Sequence, residues 1–292
     1  MAADGLYDGD ALDDLSDHIG RAGSRLDRVD PGRLDREQVY NELRVRDREE
    51  TRSRVEARDG VEARVDGSDG GWKWKGLELD PAANRIADEA LAVRLSAEGR
   101  DAEGNYAETG ITPAMRQVEA ELEHGTLVPD TERFALKSPE RFKEKLAKLI
   151  ALEPDSPPGE LVARIHDGVR YTFTFETQRY SEGVRQAERL LAESGFVLCG
   201  RKAGWAGAEY KGINSQWRDT HDGPLFEIQF HTNESWEAKQ RTHDSYEKVG
   251  HPATSPEERA RLRAYQREVM SSVPVPSGAF DFAPYQPGGG RA

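Results

Sequence analysis

Apolar residues in the C-terminal half of the chain recur at every second position in some stretches and at every third or fourth in others. Tyr171, Phe173 and Phe175 alternate with Arg170, Thr172, Thr174 and Glu176, and Phe226, Ile228 and Phe230 alternate with Glu227, Gln229 and His231. Ile213 and Trp217 oppose Tyr210, Gly212, Asn214 and Gln216. A strand sends successive side chains to opposite faces, so these stretches predict strands over Val169–Glu176, Tyr210–Trp217 and Leu225–Thr232 that share one apolar and one polar face. Phe196–Gly200 reads as a further strand.

Helical spacing fills the gaps. One helix opens at Ser138-Pro139-Glu140, with cap, first-turn proline and first-turn acid in order, and its buried stripe is Phe142, Leu146, Leu149 and Ile150. Others are expected over Ser181–Ser194, ended by Gly195, and over about 234–249 and 256–272. Two earlier segments, LDPAANRIADEALAVRL and ITPAMRQVEAELEHG, carry helical spacing with Pro81 and Pro113 near their starts. The fold class is α/β or α+β, a mixed sheet with helices packed on it. The expected organisation is a charged helical leader and linker over 1–70, a helical segment over 71–125, a catalytic-type domain over 126–273 and an irregular Pro/Gly-rich tail over 274–292.

Composition narrows the function classes. Charged residues make up 33% of the 292, and the formal net charge is −13. A general nucleic-acid coat is excluded, because phosphate binding needs basic surface; an anionic ligand must meet a local patch, and Arg133–Lys148 (RFALKSPERFKEKLAK) supplies one. No apolar run approaches the roughly 18 residues of a membrane helix, and the acidic start lacks the pattern of a standard export signal. The lone Cys199 makes no intramolecular disulfide and reads as an inert core residue.

An antiparallel sheet with one solvated face would alternate in the same way. The polar side here, however, gathers Arg, Glu, Gln, His, Asn and a Tyr beside a Gly, with Asp167 just before the first strand, and that mix suits a nucleotide site. Asp167 and Glu227 are candidate Mg²⁺ ligands, since Mg²⁺ takes a few carboxylates together with water and substrate phosphates. Glu227 is alternatively a general base for an attacking hydroxyl. Lys137, Lys145 and Arg170 suit a polyphosphate. Tyr210-Lys211-Gly212 suits a stacked base with backbone close by. His231 closes the polar strand face as a candidate phosphate contact. Trp236, Gln240, His243 and Glu247 share one helix face, where His243 with Tyr246 supports the site or satisfies a core hydrogen bond.

These segments resemble the RelA/SpoT-type nucleotide pyrophosphokinases, the alarmone synthetases, over roughly residues 112–250. LKSPERFKEKL is similar to the family's ATP-phosphate helix, IHDGVRYTF to its magnesium-bearing first strand and YKGIN to its acceptor-base loop. FEIQFHT with WEAKQRTHDSYEK is similar to its catalytic-glutamate strand and following helix. The resemblance implies Mg²⁺-dependent transfer of the β,γ-pyrophosphate of ATP to the 3′-hydroxyl of a purine nucleotide, giving (p)ppApp- or (p)ppGpp-like products and AMP. It places Lys137, Ser138, Arg141 and Lys145 with the donor, Arg170 against the donor's adenine, and Asp167 and Glu227 on the metal. Tyr210, Lys211, Asn214 and Gln229 fall to the acceptor, and His231 stands where the family carries an arginine.

Three departures accompany it. Ala135 replaces a family arginine, which leaves adenine stacking to Arg133, Arg141 or another group. Asp167 precedes Arg170 by three residues where five is usual, and Asn214 stands in place of a histidine. These changes resemble the divergent toxin and secreted members. They imply an effector acting in the bacterial cytoplasm, delivered by specialised secretion and restrained by an immunity protein, without a membrane. No hydrolase domain is expected, since His221-Asp222 and His243-Asp244 fall inside the synthetase pattern. Two alternatives stand beside this reading. One is the same chemistry on the 3′ end of tRNA, served by a groove around Lys202, Lys211 and Arg218; the other is a nucleotide-binding module that has lost catalysis.

Overall fold

The computed structural model describes residues 70–74, 76–99, 109–219, 223–250 and 254–285. The expected leader, apart from its last residue, and the His221-Asp222 pair lie outside them. A hairpin of β1 (Trp72–Trp74) and β2 (Leu77–Leu79) leads into α1 (Pro81–Glu98), and α2 (Ile111–Glu121) follows. Then come β3 (Thr126–Leu127), the short α3 (Thr131–Phe134), α4 (Pro139–Leu152) and α5 (Pro158–Ala163). A 3-10 turn at His166–Gly168 delivers the chain to β4 (Arg170–Phe175). The remainder is α6 (Tyr180–Glu193), β5 (Phe196–Ala203), β6 (Ile213–Asp219), β7 (Phe226–Thr232), α7 (Asn233–Val249) and α8 (Pro256–Ser271).

Apart from the β1–β2 hairpin, the strands form one five-stranded mixed sheet in the order β3-β4-β7-β6-β5, in which β4 and β7 run parallel and the other neighbours antiparallel. The expected α/β class is therefore observed. Register aligns the alternating patterns. Arg170, Thr172 and Thr174 stand opposite Glu227, Gln229 and His231, while Asn214 and Gln216 pair with Gln229 and Glu227 from the other side.

Tyr171, Phe173, Phe175, Ile228, Phe230, Ile213 and Trp217 fill the apolar face, with Phe173 stacked on Phe230 at 6.1 Å between ring centroids. Against them pack Met115 and Val118 of α2 and Tyr180, Val184, Ala187 and Leu191 of α6. Full burial of each large apolar side chain contributes about 1.5–3 kcal/mol, so this face supplies much of the stability that holds the strands in register. A second cluster joins Trp72, Leu79, Ala87 and Leu91 to Phe142, Leu146 and Leu149 of α4 and Leu161 of α5.

Several expectations shift. The 210–217 stretch becomes a strand only from Ile213: Gly212 has φ +150°, and a Cβ there would meet the His231 ring at 2.9 Å. Ile150 is only partly buried beside the α4 stripe. Cys199 is half-buried at a β-bulge of the edge strand rather than in the core, and desolvation raises its thiol pKa. Residues 273–285 are irregular yet bury Val273, Ala279 and Phe282. Among the described residues no helix is long and apolar enough to cross a membrane.

Candidate active site

The middle of the polar face is covered, while Arg170, Lys202 and Arg218 on the same side stay exposed. Thr172, Thr174, Gln229 and His231 are all buried, His231 completely, which separates this sheet from one with a wet side. The cover comes from α7 and from the loop before β6.

The helix signals read in the sequence position the first cluster. Ser138 caps α4 by accepting from the Arg141 backbone N–H at 3.4 Å, with Pro139 and Glu140 in the first turn. Just upstream, Lys137 N–H donates to the Gly168 carbonyl at 2.9 Å and Arg170 N–H donates to the Ala135 carbonyl at 2.8 Å. This short ladder sets Lys137 beside the Asp167 turn. Lys137 Nζ lies 2.9 Å from Asp167 Oδ2, and Lys145 Nζ, from within α4, donates to Oδ1 at 3.0 Å. Burial alone would raise the Asp167 pKa; the two ammonium groups outweigh it and hold the carboxyl well below the usual range. Lys137 in turn is lowered by desolvation, which Asp167 opposes.

The second cluster lies on the adjoining backbone. Glu227 N–H donates to the Val169 carbonyl at 2.9 Å, and Glu227 pairs in register with Arg170. Asp167 and Glu227 thus flank one exposed side chain, Arg170, whose charge acts on Asp167, Lys137, Lys239 and Tyr210. Gln229 Nε2 donates to Glu227 Oε1 at 2.7 Å, and Lys239 Nζ of α7 donates to Gln229 Oε1. Burial, with Arg170 adding, pushes the Lys239 pKa down to about 7, and the Glu227 charge opposes the shift.

A third group holds Tyr210. Its hydroxyl donates to Asn214 Oδ1, which leaves a lone pair for His231 Nε2 at 3.0 Å. His231 Nδ1 lies 2.9 Å from Ser235 Oγ, so each ring nitrogen has a partner. Burial keeps this imidazole neutral, its pKa well below the ordinary value. The expected phosphate contact at His231 is thus corrected: a buried neutral ring with both nitrogens engaged supports Tyr210 from behind. Burial and the Glu227 charge raise the Tyr210 pKa, so the phenol stays protonated.

The other expected residues are tied into the site's surroundings or stand exposed at its edge. Gln229 is buried between Lys239 and Glu227 and hydrogen-bonds to both. Lys211 Nζ donates to the Trp205 carbonyl at 2.9 Å and braces the loop that carries Tyr210. Arg141 Nη2 donates to both oxygens of Glu247 of α7 at 2.9 and 3.0 Å, tying α4 to α7, and His243 Nε2 lies 3.5 Å from the same carboxylate. Gln240 is exposed. The Arg133 side chain lies outside the described ones. Lys202 and Arg218 are exposed and share the polar side, Lys202 by its pairing with Asn214.

Lys239 and Arg94 are absent from the sequence reading. Lys239 follows Trp236 by three and precedes His243 by four, so the helical stripe that selected Gln240 fits Lys239 equally well. Arg94 of α1 donates to the Val162 and Ile165 carbonyls at 3.3 and 3.1 Å and lies over the Phe142 ring at 4.9 Å, anchoring the approach to Asp167.

Among the described residues no group of three His, Cys, Asp or Glu side chains converges as a metal centre. Asp167 and Glu227 offer the carboxylate oxygens that suit a largely hydrated Mg²⁺ shared with phosphates, but both Asp167 oxygens now face lysines. The donor set fits an ion that arrives with a polyphosphate able to draw those lysines away.

No family model matches the chain, and no curated protein matches it. Among solved structures, the small alarmone synthetase 1 from Bacillus subtilis is 16% identical over 65% of this chain and 88% of that one, with a TM-score of 0.35. The complex between the Type VI effector Tas1 and its immunity protein aligns at 20% identity over 65% and 97%, with a TM-score of 0.37. The protein smu.1046c from Streptococcus mutans UA159 aligns at 14% identity over 65% and 86%, with a TM-score of 0.35.

Proposed function

We propose that the chain is an ATP-dependent nucleotide 3′-pyrophosphokinase. The observation that carries this reading is the exposed Arg170 between two acid-bearing clusters, Asp167 with Lys137 and Lys145 on one side and Glu227 with Lys239 on the other. A site with four cations around two carboxylates, in a chain of net charge −13, is suited to a polyphosphate.

Lys137 and Lys145 take the donor phosphates, and Arg170 stabilises charge that develops on the transferred group. The acceptor 3′-hydroxyl oxygen bonds to the β-phosphorus of ATP, the bond from that phosphorus to the α,β-bridging oxygen breaks, and AMP leaves. Glu227 takes the hydroxyl proton. Mg²⁺, held by Asp167 and Glu227 with the phosphates, would supply charge neutralisation. The Tyr210 ring, anchored through its hydroxyl, offers a surface for the acceptor base. The effector role, with delivery by secretion, action in the bacterial cytoplasm and an immunity partner, rests on the motif resemblance to divergent members.

Incubation with ATP, Mg²⁺ and each purine mono-, di- and triphosphate, resolved by anion exchange, is expected to yield AMP with a 3′-pyrophosphorylated product. Glu227→Gln is expected to lower kcat by about 100-fold or more with nucleotide affinity nearly unchanged. Absence of AMP with every acceptor overturns the reading. The exposed Lys202 and Arg218 favour including tRNA as an acceptor, and label from γ-labelled ATP in tRNA would identify that branch.

A further inference from the structure

The steps above leave Lys239 unused, although it is tied to Gln229 and lies within the field of Glu227. Lys239 Nζ donates to Gln229 Oε1, so the Gln229 amide turns its oxygen toward Lys239. Its Nε2 then points at Glu227 Oε1, 2.7 Å away. Gln229 is 4% exposed, which leaves little access for water to satisfy the amide in another orientation. Remove the ammonium and the amide oxygen is left buried without its partner, so the amide keeps only one of the two contacts that fix its place beside Glu227.

We propose that Lys239 is a positioning residue that acts through the Gln229 amide to aim the Glu227 carboxylate at the acceptor hydroxyl. The inference rests on the pyrophosphokinase reading and adds a residue to it. One Glu227 oxygen is tethered by the amide, which leaves the other for the proton being transferred. The aromatic ring of Trp236 lies 4.8 Å from Lys239 Nζ and holds the ammonium over the sheet. Burial and Arg170 both disfavour the charge of this lysine. A side chain of equal length without charge would sit there at less electrostatic cost, so the lysine does not stand there for stability alone.

The test uses the full chain with Lys239→Met, Gln229→Met, the double variant and Lys239→Arg, each checked by thermal melt. AMP release gives kcat and KM, and side-chain amide NMR follows Gln229, whose resonances are identified by their loss in Gln229→Met. Lys239→Met is expected to lower kcat by about 100-fold, with KM changed less than about 3-fold, and to move the amide resonances toward free-glutamine positions. The double variant is expected to be no slower than Gln229→Met, and Lys239→Arg to recover most of the rate. Wild-type kcat in Lys239→Met, additive losses in the double variant, or unmoved amide resonances would overturn the inference. An inactive wild-type chain counts against the pyrophosphokinase reading instead, and the amide resonances then decide alone whether Lys239 orients Gln229.

Discussion

Asp167 meets an ammonium group on each oxygen, at 2.9 and 3.0 Å, and serves as counter-ion to two lysines that the proposed donor nucleotide would have to draw away. Asp167→Asn leaves Lys137 and Lys145 facing one another without that charge. The expected cost is about 2 kcal/mol, below the ~3–5 kcal/mol for breaking a fully buried pair, because these side chains retain some solvent. The same change frees both cations for phosphate. ATP binding without Mg²⁺, followed by calorimetry, is therefore expected to tighten while urea stability and turnover fall. Weaker ATP binding in step with lost stability would show that the lysines serve Asp167 and not phosphate. Lys137 and Asp167 were legible in the sequence because they stand just before a helix and a strand, where caps and register place them, and Lys145 follows on the same helix. Lys239 was not, since a stripe with steps of three or four leaves the rotation of α7 over the sheet open to one residue. Parity put His231 on the correct face, but parity is silent about what covers that face.

Elements meet at Gly168, where α1 reaches the turn before β4. A Cβ at this position would lie 2.5 Å from Cδ and Nε of Arg94, whose guanidinium spans the Val162 and Ile165 carbonyls. Gly168→Ala is expected to cost about 1–3 kcal/mol by overpacking, and to lower kcat because the displaced turn carries Asp167. Denaturant melts with AMP release check it; unaltered kcat at reduced stability would confine Arg94 to packing. The helix that makes this contact lies in the 71–125 segment, outside the motifs that matched the synthetase pattern, and its spacing announced a helix without its target. Strands of six or seven residues show their period, and β4, β6 and β7 were readable for that reason. The two- and three-residue β1, β2 and β3 are too short to display one. The positive φ of Gly212 cut the expected β6 short and let Tyr210 fold back over His231.

At the scale of the whole molecule, an apolar sheet face is kept dry by α2 and α6, while on the polar face Thr172, Thr174, Gln229 and His231 are kept nearly as dry by α7 and the Tyr210 loop. Burying polar groups is tolerated only when they are paired, and His231 shows what that implies for acid stability. It faces Tyr210 from the loop, Ser235, Trp236 and Lys239 from α7, and more distantly Arg170 from β4. Its folded pKa is depressed by burial, with Lys239 adding, so the folded state stays unprotonated while the unfolded chain takes up a proton below about pH 6.5. Protons bound by the unfolded state lower stability as pH falls, by up to about 1.4 kcal/mol per pH unit for one such group. The contribution is fully present above pH 6.5 and is lost on acidification. Urea melts at pH 7.5, 6.5 and 5.5 are expected to show wild-type stability declining more steeply below 6.5 than that of His231→Gln, which has no ring to titrate. Parallel declines would mean that the imidazole accepts its proton in place, and the neutral support behind Tyr210 would have to be abandoned.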